Sequence, residues 1–192
     1  MSTFDIDNFV ADCRLALDDA DPRGATRELM IRTMEDRSSV AAALGAEVGG
    51  LNVIHSSPDL TVLNVIWAPG MFLFPHDHRM WAAIGIYQGR EDNTLYRRGP
   101  ESIAAAGGRE LNDGGVLMLG KDAIHSVENP LSRFTGAIHV YGGDFINEPR
   151  SQWDPDTLIE QPWDLDEVRR QFAAANAEWA SQLGQDLDEH VS

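Results

Sequence analysis

Residues 74–89, FPHDHRMWAAIGIYQG, place two histidines one residue apart inside a run that otherwise reads as buried strand. Along a strand, residues i and i+2 share a face, with Cα atoms roughly 6.5–7 Å apart at about 3.3 Å rise per residue. His76 and His78 on one inward face can therefore converge on a single metal ion. Asp77 then points to the opposite face and is a poor ligand. Pro75 has no N–H to give a ladder, which fits an edge or strand-start position.

Short strand patterns continue on both sides of this run. LNVIH, LTVLNVIW, MWAAIGIY, NTLYRR, VLML and FTGAIHVY are rich in Val, Ile, Leu, Tyr and Trp. Glycine and Asn/Asp clusters separate them, in GREDN, AAGGRELNDGG and VENP. Many short strands at fairly even spacing predict a sandwich or a small barrel over residues 50–147. Residues 1–48 read as helical: Ile6, Val10, Cys13 and Leu17 recur at helical spacing, and DPRG breaks the pattern. A second helical stretch, ATRELMIRTMEDRSSVAAALG, has Gly45 as its stop. A C-terminal helix is expected over 162–184, capped by Asp164 with Glu167 three residues on. Its stripe of Leu165, Val168, Phe172, Trp179 and Leu183 is expected to pack on the barrel.

Length and composition limit the alternatives. The chain has 192 residues, 43% of them apolar, which suits one globular domain, residues 1–192. The longest apolar stretch, VIWAPGMFLFP, is broken by two prolines and a glycine and is too short for a bilayer. No basic n-region marks a secretory signal at the start, and a lone Cys13 excludes an intramolecular disulfide, so a cytoplasmic location is expected. The net charge of −16, with a single lysine at 121, argues against nucleic-acid or membrane partners. Oligomeric state is not legible.

Six histidines are present. His190 lies in the polar tail and reads as exposed; His55 reads as a turn residue beside SSPD. The other four fall in or beside strands. Gly70 precedes His76 by six positions, Gly89 follows His78 by eleven, and GGVLMLGKDAIHSVEN sets Gly114, His125 and Asn129 in sequence, with His125 after a further strand. This pattern resembles the two-part signature of the cupin superfamily, G-x5-H-x-H-x3,4-E-x6-G and G-x5-P-x-G-x2-H-x3-N. The resemblance implies a mainly β fold, the cupin double-stranded β-helix or jelly-roll barrel, with N-terminal helices and a C-terminal helix. It departs at the glutamate ligand, since 82 and 83 are both alanine, and at the second-part proline and glycine, which are Gly120 and Asp122. The implied ligands are thus His76, His78 and His125. Three imidazoles on one side of a metal leave positions open and suit Fe(II) chemistry with O2 better than a closed structural zinc.

Three-histidine cupins with a helical N-terminus are similar to the thiol dioxygenases, the cysteine dioxygenase-like group. This resemblance implies Fe(II), a small-molecule thiol and O2 as reactants, and a sulfinate product. Members carry a Ser-x-His-x-Tyr run on a late strand beside the iron. Here AIHVY supplies His139 and Tyr141, with Ala137 in place of the serine. On a strand 137, 139 and 141 share a face, so His139 can hydrogen-bond Tyr141, whose hydroxyl can donate to oxygen or substrate. Some members crosslink the tyrosine to a cysteine; the equivalent position by spacing is Ala83, so no crosslink can form. Members that take carboxy thiols hold the carboxylate with an arginine. Arg150, eleven residues after His139, stands at one family spacing, and a guanidinium there can clamp a carboxylate in bidentate fashion. Arg79, Arg97 and Arg98 are further candidates, Arg79 pointing away under strict alternation. Gly142 and Gly143 read as a turn, and secondly as a close backbone approach to a ligand. Beside a 3-mercaptopropionate- or cysteine-like substrate stand two alternatives: a non-thiol substrate on the same centre, and a non-catalytic small-molecule-binding cupin.

Overall fold

The computed structural model describes residues 3–189, without the side chains of 185–189. His190 lies outside that range. The chain opens with α1 (Ile6–Leu17), α2 (Pro22–Glu35) and α3 (Arg37–Leu44). Asp5 caps α1 by accepting from the Asn8 N–H at 2.8 Å, and Asp21 caps α2 by accepting from Gly24 at 3.0 Å, with Pro22 pre-set at the first helical position. The second helical stretch, expected to be continuous, breaks at Asp36 (φ −111°, ψ 45°). The Ser38 hydroxyl donates to the Asp36 carboxylate there at 3.3 Å, and short polar side chains such as these are weak helix formers in helix interiors. Gly45 does end α3, at φ +66°.

Eleven strands follow among the described residues: β1 (Gly50–Ser56), β2 (Thr61–Trp67), β3 (Phe72–Asp77), β4 (Ala82–Gln88), β5 (Arg90–Arg98), β6 (Ile103–Asn112), β7 (Val116–Leu119), β8 (Ile124–Glu128), β9 (Thr135–Tyr141), β10 (Ser151–Trp153) and β11 (Glu160–Pro162). They form two antiparallel sheets, ordered β1-β2-β9-β4-β7 and β11-β10-β3-β8-β5-β6. Within them β2-β9-β4-β7 faces β3-β8-β5-β6, the strand order of an eight-stranded jelly roll. The fold is the double-stranded β-helix of cupins, with helices at both ends of the chain.

Three differences from the sequence reading stand out. The GREDN and AAGGRELNDGG segments are mostly strand, in β5 and β6, rather than turns. Strand β6 is an exposed edge with almost no apolar signal, and its glycines sit where the register with β5 shifts between Leu95 and Tyr96. His125 lies on β8 itself, and His55 lies within β1 at a register shift, where Arg14 reaches its ring at 2.9 Å. The second sheet also continues past residue 147, through β10 and β11.

The five-stranded sheet is covered on both faces. Inward, Leu63, Val65, Trp67, Ala82, Ile84, Ile86 and Ala137 fill the barrel. Outward, Val62, Ile66, Ala83, Ile138 and Val140 meet Phe9, Cys13, Met30 and Met34 of the N-terminal helices. Each Val, Leu, Ile, Phe or Met side chain among these, taken out of water, contributes about 1.5–3 kcal/mol. Gly85 permits the close approach, since a Cβ there would stand 2.5 Å from the Met30 sulfur. The last helix, α4 (Leu165–Glu189), starts at Asp164, whose carboxylate accepts from the N–H groups of Asp166 and Glu167 at 2.9 and 3.0 Å. Phe172 stacks on Trp67 at 5.3 Å and Val168 is fully buried, while Asn176 clamps the Gly49 N–H and carbonyl at 2.8 and 2.9 Å. Leu183, the end of the expected stripe, stays exposed. No helix among the described residues is long and apolar enough to cross a membrane.

The motif residues Gly70, Gly89 and Gly114 adopt φ of +67°, +89° and +81°, which explains glycine at these turns. Asn129 is fully buried and organises a loop: its amide donates to the carbonyls of Trp67, Ala68 and Arg133, and its oxygen accepts from Leu131 N–H and the Thr135 hydroxyl.

Candidate metal centre

Strands β3 and β8 pair antiparallel with His76 directly opposite His125, so both rings project from neighbouring positions into the barrel. The register shifts between Leu73 and His76, and Pro75 sits in that irregularity between two partner strands rather than at an edge. His78 follows one residue beyond β3 and turns back toward the same point. Ring centroids lie 4.6 Å apart for His76 and His125, 5.1 Å for His76 and His78, and 4.9 Å for His78 and His125. The three rings offer ligand nitrogens that all lie within 4.8 Å of one another.

The hydrogen bonds around the rings fix which nitrogens face inward. His76 Nδ1 donates to the Phe74 carbonyl at 3.0 Å, and His125 Nδ1 donates to Asn93 Oδ1 at 2.6 Å. Each neutral ring then presents a bare Nε2. The His78 Nε2 stands 3.3 Å from that of His76 and 3.1 Å from that of His125, while its Nδ1 has no partner among the described residues. Three nitrogens so close cannot all be satisfied by one another's protons. Burial lowers the pKa of all three, His76 to about 4, so they are neutral at physiological pH. Neutral, buried and convergent imidazoles are the donor set a divalent transition metal requires, so the residues fit a metal ion.

Asp77 faces out of the barrel, as alternation predicts. It is buried, accepts from the Ser151 N–H at 2.9 Å and pairs with Arg79 and Arg98 at 2.8 and 3.1 Å. Those two arginines thereby tie β3, β5 and β10 together outside the barrel, and Arg97 is exposed. None of the three belongs to the lining of the histidine cavity.

On the facing sheet, His139 and Tyr141 both line that cavity, joined by a 3.0 Å bond between Nδ1 and the hydroxyl. The Tyr141 ring stands edge-on to His78 at 5.1 Å. Burial pushes the phenol pKa far up, so it keeps its proton. Ala83 is oriented differently from the crosslink reading: it packs against the helices, and Ala82 is the residue paired with Tyr141. The buried Cys13 lies in the same outer cluster, its thiol pushed up to about 12 by burial and by Asp12. Gly142 makes its close approach to Trp81, where a Cβ would stand 2.1 Å from the indole, rather than to a ligand site.

Arg150 is buried at 6% exposure, its guanidinium between Phe145 and Trp163 at 4.0 and 4.1 Å from the ring centroids. Both aromatic rings line the histidine cavity; Arg150 itself, like Arg79, Arg97 and Arg98, does not. Nη1 donates to the carbonyls of Phe145 and Glu148, while Nε and Nη2 have no partner among the described residues. Burial lowers its pKa to about 10, and the cation remains charged at neutral pH.

Sequence reasoning missed the second ring of contacts. Trp67, Phe145 and Trp163 wall the cavity with Leu51, Val65, Leu73 and Val127, leaving about 20 Å3 of free space, enough for a water. Leu51 also lines a groove on the outside, between β1 and α4, bordered by Gly49, Ile146, Arg169 and Phe172. Glu91 and Asn93 were hidden because GREDN has the composition of a turn. Their i, i+2 spacing beside Leu95 was the available signal for an inward strand face.

No protein-family model matches this sequence. Among solved structures, the chain is similar to an RmlC-like cupin family protein with a double-stranded β-helix fold from Methanocaldococcus jannaschii, at 11% identity over 53% of this chain and 86% of that one, TM-score 0.45. It is also similar to a Bacillus halodurans protein, at 13% identity over 54% of this chain and 77% of that one, TM-score 0.48. A third likeness is to oxalate decarboxylase from Bacillus subtilis, at 16% identity over 48% of this chain and 23% of that one, TM-score 0.40.

Proposed function

We propose that the protein is an Fe(II)-dependent dioxygenase that oxidises a small carboxylate-bearing thiol, 3-mercaptopropionate- or cysteine-like, to a sulfinate. The observation that carries this reading is the convergence of three neutral imidazoles, two of which feel the charge of a buried, part-unpartnered guanidinium. His76, His78 and His125 would hold the ion, which when bound supplies a site for a thiolate and electrons for O2. The overall change is R–SH + O2 → R–SO2⁻ + H⁺: two S–O bonds form, the O–O bond breaks, and sulfur loses the four electrons that O2 gains.

The chain's own groups have distinct tasks. Arg150 uses the edge that its carbonyl contacts leave free, Nε with Nη2, which are the two parallel donors of a bidentate carboxylate clamp. Phe145 and Trp163 hold that guanidinium in plane and keep water from the cavity. Tyr141, held by His139, offers a phenol that stays protonated beside the reacting groups. A three-carbon acid needs more than the free space present, so the cover must move, and Leu51, shared by the cavity and the outer groove, is the wall through which it enters.

The test is anaerobic Fe(II) loading followed by oxygen uptake with a panel of thiols. The expected result is one O2 consumed per carboxylate thiol, with sulfinate recovered. Fully loaded protein that consumes no oxygen with any thiol would eliminate the assignment, and uptake with a diketone or ring substrate would replace it.

A further inference from the structure

Glu91 is completely buried inside the barrel, and among the described residues no lysine or arginine pairs with it. A carboxylate in that position is costly unless hydrogen-bonded and balanced by positive charge. Its hydrogen bonds come from neutral donors: Trp67 Nε1 to Oε2 at 2.8 Å and Asn93 Nδ2 to Oε1 at 2.9 Å. His139 Nε2 approaches Oε2 at 3.5 Å, a longer contact than either of these. Burial alone would raise the carboxyl pKa, but His139, Asn93 and Trp67 together hold it below its ordinary value.

We propose that Glu91 is a positioning residue for the three-histidine centre, supplying the buried negative charge that alanines at 82 and 83 do not and orienting both His125 and Tyr141 through one intermediary each. The inference rests on the metal-site reading given above. A carboxylate can only accept, so Asn93 must turn its NH2 toward Glu91. The Asn93 oxygen is thereby turned toward His125, which must carry its proton on Nδ1 and present a bare Nε2 to the ion. On the other side, the same acceptor favours a proton on His139 Nε2, leaving Nδ1 to accept from the Tyr141 hydroxyl. Glu91 thus selects the His139 tautomer from strand β5, where Ala137, two residues before His139, has no hydrogen-bonding side chain. With the His139 ring proton on Nε2, the single Tyr141 proton is committed to Nδ1, and the hydroxyl faces the cavity with its lone pairs.

The experiment compares the full chain with Glu91→Gln, Asn93→Ala and the double variant, each stripped with chelator and titrated with Co(II) by calorimetry. An amide at 91 places an NH2 against either Trp67 or Asn93, and the latter must flip and present its NH2 to His125. Glu91→Gln is expected to bind Co(II) about 10–100-fold more weakly, Asn93→Ala to lose a similar factor, and the double variant to lose no more than the worse single. Side-chain 15N shifts in the metal-free protein are expected to show His125 protonated on Nδ1 in the parent and mixed tautomers in Glu91→Gln. Parent-level affinity in Glu91→Gln, or strictly additive losses, would overturn the proposal while leaving the metal site standing. If Glu91→Gln does not fold, parent-level affinity in Asn93→Ala overturns it instead. A parent protein that binds no Co(II) would end both readings.

Discussion

The two sheets of the barrel contribute different things to one cavity. The six-stranded sheet and its immediate extension carry all three candidate ligands, and behind them the polar residues Asp77, Glu91, Asn93 and Ser126, all buried. The five-stranded sheet carries His139 and Tyr141 but is otherwise apolar across the middle of its inner face, and its outer face packs against the N-terminal helices. A sheet covered on both sides holds its shape through packing, whereas the ligand-bearing sheet is held by hydrogen bonds and ion pairs that also set the direction of each imidazole. Substitutions should therefore separate the two: metal affinity should follow the six-stranded side, and global stability the five-stranded side.

The largest effect is expected from His125→Ala. It removes one of three ligands and should abolish loading with Fe(II) or Co(II), read by elemental analysis after desalting, while the metal-free protein keeps its fold. Undiminished loading would show that the three rings do not share an ion. On the opposite side, Ile138→Ala empties a fully buried site between the five-stranded sheet and the N-terminal helices. It should cost about 2–5 kcal/mol in urea unfolding and leave Co(II) affinity unchanged in the folded protein. A large loss of affinity in Ile138→Ala would erase the proposed division. Smaller again is Arg150→Gln. Under the thiol-oxidation proposal it removes a charged clamp worth about 1.5–3 kcal/mol, so KM for a carboxylate thiol should rise roughly 10–150-fold, with oxygen uptake on an uncharged thiol barely altered. An equal loss on both thiols would remove Arg150 from substrate binding.

The same contrast explains what the sequence made legible. Strands β2, β4 and β9 are apolar on both faces and read as near-continuous hydrophobic runs, so they are found without ambiguity. Strand β6 is exposed along most of its length, and β10 and β11 have three residues each, so no periodicity could reveal them. His76, His78 and His125 were legible because their spacing is rigid in sequence. Glu91 and Asn93 were not: what aims them inward is the pairing of β5 with β8, which places Asn93 opposite Val127 and Leu95 opposite His125. Arg150 was singled out by its distance from His139, but its confinement between Phe145 and Trp163 joins segments on either side of β10 and β11, and no local pattern encodes that.

The smallest effect, and the one that sharpens the comparison most, is the pH dependence of the metal-free protein. The three rings are neutral in the fold because burial lowers their pKa values from about 6.5, to about 4 for His76 and well below 6.5 for His78 and His125. The unfolded chain therefore binds more protons than the folded one below pH 6.5. Stability from this source is fully present above the unfolded pKa and is lost as pH falls toward the folded values, a window from 6.5 down to about 4 for His76. Between pH 7 and 6 the loss should stay under about 1 kcal/mol per ring, measured by urea midpoints in the presence of chelator. His125→Ala removes one such ring and should flatten the slope by up to one proton, whereas Ile138→Ala should lower the whole curve and leave its slope unchanged. If His125→Ala kept the parent slope, that ring would already be titrating in the fold as it does in the unfolded chain. It would then not be the dry, neutral imidazole that a metal centre on this sheet needs.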